Sequence, residues 1–259
     1  MTKKKISIFT AVTTILAILA FFVAVQQTHV QADSKTLTFG ATGTSFPTSY
    51  KDGDKLTGYD VEVANTIAKR LGYKSKWVTA DFDGLFGQID NGKINTIAND
   101  VAITPDRSNT YLFSNTYNKE ATGVAVLKNS KYKTIKDLEG KKVAGVMGSN
   151  NVKSLQKYDS KIKVVTYESR DQAYSALTSG HVQGMVNSKL TLKATIKEKK
   201  LDWKVVSGSA ASDKIAFPFK KDAQGKKLQK QFNKELKKMA SDGTLTKISK
   251  KYYGYDTTK

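Results

Sequence analysis

The chain has 259 residues, no cysteine and a formal net charge of +20. Without a thiol there is no disulfide, no thiol catalysis and no lipid-modified N-terminal Cys. The charge favours anionic surroundings, bound with strong salt dependence, and lysine carries it: only Arg70, Arg107 and Arg170 are arginine.

Residues 1–32 are expected to be a signal peptide. Lys3, Lys4 and Lys5 form a basic start, 6–25 is mostly apolar, and Val30-Gln31-Ala32 offers a small-x-Ala cleavage site. An uncleaved anchor competes, since about 20 apolar residues can span a bilayer. Ser7, Thr10, Thr13 and Thr14 dilute the run and favour removal.

From Lys35 the pattern alternates strand and helix. Thr36 to Ala41 reads as a strand, and Thr42 to Pro47 as a turn-rich loop. Tyr59 to Leu71 reads as an amphipathic helix stopped by Gly72, Lys76 to Val78 as a strand, and Asp83 to Asp90 as a short helix. A central strand then runs through Ile94, Thr96, Ile97, Val101 and Ile103 and breaks into a helix. Thr104 suits its N-cap, Pro105 its first position, and Asp106 the positive helix end. Arg107 follows in the same turn. Where a lysine would serve for surface charge, a guanidinium beside a helix N-terminus suits planar two-pronged capture of a carboxylate. An ordinary capped helix with a solvated Arg is the alternative.

The order then repeats. Strands are predicted at Lys142–Met147, Lys163–Thr166, Val182–Val186 and Trp203–Val206, with helices at Val152–Tyr158, Asp171–Thr178 and Leu190–Glu198. Gly123 to Leu127 is an apolar strand between the two α/β units, and Ile215 to Phe219 is placed as the strand crossing back. The tail, Lys227 to Tyr253, is an amphipathic lysine-rich helix with a stop at Gly243.

Several motifs stand in order: Phe46-Pro47, Gly58-Tyr59-Asp60-Val61, Phe82-Asp83-Gly84-Leu85, Gly92-Lys93-Ile94 through Thr104-Pro105-Asp106-Arg107, Phe113-Ser114-Asn115-Thr116-Tyr117, Asp137-Leu138-Glu139-Gly140-Lys141-Lys142-Val143, and Asp242-Gly243-Thr244-Leu245 to Tyr253-Gly254. This ordered set, over residues 36 to 255, resembles the polar amino-acid-binding proteins of ABC importers, solute-binding protein family 3. The resemblance implies an α/β fold of type II periplasmic-binding-protein plan: two lobes, each a sheet flanked by helices, joined by two crossing hinge strands. Lobe 1 would be residues 33–122 and 216–259, lobe 2 residues 123–215. It also implies a monomer that closes on an amino acid and works with an ABC permease and ATPase.

By the same resemblance Arg107 pairs with the ligand α-carboxylate. The Ala102 backbone N–H and the Ser149-Asn150 turn supply the other donors, beside the Thr104 hydroxyl that the helix start itself places there, and Phe46 and Phe82 pack on the ligand's aliphatic part; plain core is the alternative for the two phenylalanines. Asp60 is expected to be structural. One position departs from the family pattern. Its second-lobe Gly-x-Val-Asp-Ala run leads to an Asp that holds the ligand ammonium, whereas here Gly180-His181-Val182-Gln183-Gly184-Met185-Val186-Asn187-Ser188 places Ser188 there. Asp100 is then the candidate to supply the missing charge. Ile97 to Val101 and Asn187 to Leu190 look most like the cystine-binding branch, making cystine the first ligand expected.

No cofactor, metal site or catalytic residue is expected. His29 lies in the signal, leaving His181 alone, with no cluster at metal spacing and no activated nucleophile. The chain also resembles the basic surface proteins of lactobacilli, which supplies a second reading: an adhesin binding host mucus or matrix through its lysines, with or without amino-acid binding. The setting expected is the secreted, extracellular surface of a Gram-positive bacterium without a lipid anchor. Anionic cell-wall polymers, rather than nucleic acid, would be the counter-ion for the lysines that thicken toward the end of the chain.

Overall fold

The computed structural model describes residues 35–258, and the expected signal at 1–32 lies outside them. In chain order the elements are β1 (Thr36–Ala41), β2 (Thr44–Ser45), β3 (Ser49–Asp52), β4 (Lys55–Thr57), α1 (Tyr59–Arg70), β5 (Lys74–Thr79), α2 (Phe82–Asp90), β6 (Thr96–Ile97), α3 (Pro105–Thr110), β7 (Tyr111–Phe113) and β8 (Asn118–Leu127). There follow β9 (Lys142–Val146), α4 (Asn150–Tyr158), β10 (Lys163–Tyr167), α5 (Arg170–Thr178), β11 (Gly184–Ser188), α6 (Lys189–Glu198), β12 (Trp203–Val205), β13 (Ala211–Ile215), β14 (Pro218–Lys220), α7 (Ala223–Ser241) and α8 (Thr244–Tyr253).

These form two α/β lobes. In the first, β1 pairs in parallel with β5 on one side and β6 on the other. Its core joins the α1 face to the α7–α8 tail around Phe39, Tyr59, Phe217, Phe219 and Phe232, all fully buried. Burying such rings contributes roughly 1.5–3 kcal/mol each, which is why an α7 with lysines on its outer face still docks firmly. The second lobe is a six-stranded sheet ordered β10-β9-β11-β8-β12, with β13 also on β8. The β9–β10 and β9–β11 pairs are parallel, and β8 is antiparallel to every neighbour.

Three boundaries differ from the sequence expectation, and two of them shape the cleft. The central strand shortens to Thr96–Ile97 because asparagine side chains take over its ladder. Asn95 Oδ1 accepts the Thr38 N–H at 2.8 Å, and Asn99 Oδ1 accepts the Thr42 N–H at 2.8 Å and hydrogen bonds from the Thr42 and Ser49 hydroxyls. The chain then turns through Asp100 at φ 56, a left-handed conformation that Asp tolerates better than most residues. The strand that crosses back is Ala211–Ile215, paired residue by residue with Asn118–Thr122, and not 215–219. Its polar alternation, Ala-Ser-Asp-Lys-Ile, conceals it from a search for apolar runs. The 218–220 segment instead pairs with β7 inside the first lobe. Finally, the loop expected at 42–47 holds β2, the first strand of the β2-β3-β4 meander.

Candidate functional site

Arg107 stands on the first turn of α3, whose N-cap Thr104 accepts the Arg107 N–H through its hydroxyl at 3.2 Å. The guanidinium turns back across the cleft. Its Nη1 donates to Ala102 O at 3.0 Å in its own lobe, and its Nη2 to Gly148 O at 3.0 Å in the other. It packs over Phe86 and Phe82, with ring centroids 4.8 and 5.5 Å away. Burial lowers its pKa to about 10, so it is cationic at neutral pH.

Around Arg107 a small cavity opens between the lobes. Phe82, Asp100 and Ala102 line it from the first lobe, Ser149, Asn150, Asn151 and Ser188 from the second, and Glu120, Asp213 and Ile215 from the crossing strands. Seven of the nine expected site residues therefore meet at one cavity: Phe82, Asp100, Ala102, Arg107, Ser149, Asn150 and Ser188. Thr104 lies just outside, beside Asp106 and Lys153 in an adjoining groove. Phe46 lies apart from the Arg107 cavity. Its ring meets Tyr50 edge-on at 4.8 Å, and its carbonyl accepts Arg170 Nη1 at 3.0 Å across the cleft.

The second-lobe donors are set by capping. Ser149 Oγ accepts the Asn151 N–H and starts α4, whose positive end faces the cavity. Asn150 Nδ2 donates to Asp213 Oδ1 at 2.9 Å. Ser188 ends β11 and caps α6 by accepting the Thr191 N–H at 3.1 Å. Beside this cavity a second one, lined by Thr42, Ser45, Asn99, Asp100, Ser169 and Arg170 among others, extends the cleft.

Carboxyl groups dominate the electrostatics. Asp60 is buried behind the cavity, where its oxygens accept the Tyr117 hydroxyl (3.0 Å) and the Asp100 N–H. Burial and the neighbouring Asp100 push it up to about 8. Burial raises Asp100 to about 6, with Arg170 opposing. Burial and then Asp100 hold Glu120 well above the usual carboxylate range. Asp100 Oδ1 and Glu120 Oε2 are buried with no donor aimed at them.

Sequence reasoning missed Glu120, Asn151, Asp213 and Arg170. Glu120 and Asp213 carry no motif, and only the pairing of β8 with β13 brings them together. Arg170 was visible as one of three arginines, but its reach to Phe46 depends on how the lobes meet.

Two α/β lobes, two crossing strands and a polar cavity buried between them define a solute-binding protein that encloses its ligand. The model of the bacterial extracellular solute-binding proteins, family 3, matches residues 37–255, and the chain belongs to that family. Among relatives, the probable amino-acid-binding protein YxeM of Bacillus subtilis is 42% identical, with 87% of each chain covered. The L-cystine-binding protein TcyA of Bacillus subtilis is 36% identical, with 86% of this chain and 83% of TcyA covered. A solved structure, described as bearing on glutathione import in Gram-positive bacteria via GshT and the cystine ABC importer TcyBC of Streptococcus mutans, is 32% identical with TM-score 0.80. It covers 87% of this chain and 98% of its own. Among the described residues no helix is long and apolar enough to cross a membrane.

Proposed function

We propose that the protein is the extracellular solute receptor of an amino-acid ABC importer, delivering its ligand to a permease driven by an ATPase. The observation that carries this is Arg107, a guanidinium beside the α3 N-terminus that opens on an inter-lobe cavity also lined by carboxyls. Such a cavity fits a zwitterion. The ligand α-carboxylate displaces the Ala102 and Gly148 carbonyls from Arg107 and takes further donors from the Ala102 amide and the Ser149–Asn150 helix start. Phe82 packs on its aliphatic part, and Asp100 faces its ammonium. The lobes divide on this reading at 122/123 and 215/216, so closure is a hinge in the paired crossing strands.

Cystine is the first ligand to try, because TcyA is named for it. The cleft runs on from the Arg107 cavity to a second guanidinium at Arg170, which suits a ligand with a second carboxylate. The lysines of the outer face of α7 are exposed and line neither cavity. Neutralising them leaves solute affinity unchanged. The test is a thermal-shift screen of the purified protein against L-cystine and the standard amino acids. A ligand at 100 times its Kd adds about 2.7 kcal/mol of stability, a readily visible shift. A shift with any of them is the expected result. No shift with any of them, from folded protein free of carried-over ligand, overturns the proposal.

A further inference from the structure

We propose that Glu120, opposed by Asp213 across the two crossing strands and joined by Asp100, is the carboxylate that receives the ammonium group of the bound amino acid. This rests on the amino-acid-receptor reading and deepens it by naming the residue that replaces the acidic side chain lost at Ser188.

The register of the crossing strands is the starting point. Glu120 of β8 stands directly opposite Asp213 of β13. Like charges in that relation are unfavourable in an antiparallel ladder when both groups are ionised. Both line the Arg107 cavity, with Asp100 as the third acid. Three carboxyls there face one guanidinium, and a ligand bringing its own cation balances them better than water does.

Burial sharpens the choice among the acids. Glu120 is only 4% exposed, yet its Oε2 has no donor. Its other oxygen accepts Asn118 Nδ2 at 3.1 Å and the Tyr253 hydroxyl at 3.5 Å, which fixes the side chain. Asp213 already accepts from Asn150 and, at 3.4 Å, from the Thr122 hydroxyl. Asp60 is occupied by Tyr117 and the Asp100 amide and stays out of the cavity lining. Glu120 and Asp100 therefore hold the open acceptor oxygens. Because Glu120 sits on a hinge strand, capture of the ammonium also ties the ligand to the segment that bends during closure.

The test is calorimetric titration of the full protein, as wild type, Glu120→Gln, Glu120→Asp and Arg107→Ala, against L-cystine and the standard amino acids. The melting temperature of each unliganded form is measured alongside. Glu120→Gln is expected to lose at least about 30-fold in affinity, with its unliganded melting temperature little changed, because burial already disfavours the charged form of Glu120 and glutamine keeps an acceptor for Asn118. Glu120→Asp recovers part of the affinity. Glu120→Gln with wild-type affinity overturns the proposal. So does a loss of affinity that tracks a fall in unliganded melting temperature, which marks a merely structural glutamate. If Glu120→Gln does not fold, Asp213→Asn carries the test: a loss of about tenfold supports the carboxyl cluster, and unchanged affinity overturns it. If wild type binds none of the probes, the receptor reading itself fails and takes this inference with it. If wild type binds, Arg107→Ala does not and Glu120→Gln does, only this inference falls.

Discussion

Replacing Arg107 tests the carboxylate seat directly, because alanine and lysine remove different parts of it. Alanine takes away the charge and leaves a buried ligand carboxylate unpaired, at a cost of about 3–5 kcal/mol. That corresponds to roughly 140- to 4000-fold in Kd. Lysine keeps the charge but gives up the fork and the stacking on Phe86 and Phe82, whose centroids lie 4.8 and 5.5 Å from the guanidinium carbon. Losing one of two charge-assisted hydrogen bonds costs about 1.5–3 kcal/mol, and the lost ring contacts about 0.5–2 kcal/mol more. The expected order of affinity is therefore Arg, then Lys, then Ala, with lysine roughly 30-fold or more below wild type. In the unliganded protein Arg107 also ties Ala102 O to Gly148 O across the cleft. Either substitution should lower the unliganded melting point, by about 1–2 kcal/mol of stability. Calorimetry with the ligand found by thermal shift measures the first effect, and melting without ligand the second. Lysine binding as tightly as arginine, or alanine losing no more than a few-fold, would refute the assignment of the α-carboxylate to this residue.

Gly148→Ala should oppose closure: Gly148 has φ +72, and a Cβ there would meet Asp83 Oδ1 at 2.5 Å and Asp83 Cβ at 3.0 Å across the cleft. Strain of about 1–3 kcal/mol is expected, read as weaker ligand binding and as a larger radius of gyration in solution scattering with ligand present. Lys153→Ala is the contrasting case. Its 3.1 Å ion pair with Asp106 also spans the lobes, but the side chains are 67% and 78% exposed, so affinity should change less than about fivefold. Stability without ligand should fall as pH rises. Asp60 and Asp100 have folded pKa values of about 8 and about 6, above the 3.8 of an exposed Asp. Between those values the folded form binds more protons than the unfolded one, so each unit of pH costs stability. Melting should accordingly be higher at pH 5 than at pH 8, and Asp60→Asn should flatten the difference; a melting temperature that climbs across that range would contradict the buried-acid assignment.

What the sequence discloses follows from how local each determinant is. Thr104, Pro105 and Arg107 state a helix start within four residues, and α3 begins at Pro105 with the Thr104 hydroxyl capping it. Ser149 works in the same way for α4. The alternation of apolar runs and amphipathic helices gives two α/β units because period and burial are tied within each element. Glu120 and Asp213 lie outside that logic. Neither sits in a motif, both look like ordinary strand-surface charges, and they gain meaning only from a pairing between segments 93 residues apart. Phe46 is the converse: a local motif with a legible shape, yet its ring turns to Tyr50 and its carbonyl, which no sequence pattern reports, meets Arg170.

This contrast bears on how such a receptor changes ligand. On the proposed reading the carboxylate seat is built from helix caps, so it can stay fixed while the rest of the cleft varies. The acids of the crossing strands are held by register instead. On the proposal above, substituting Glu120 alters the cation seat without touching the Thr104 or Ser149 caps. On the ammonium proposal Ser188 keeps its local task as the α6 cap, and the acid that faces the ligand comes from the crossing strands.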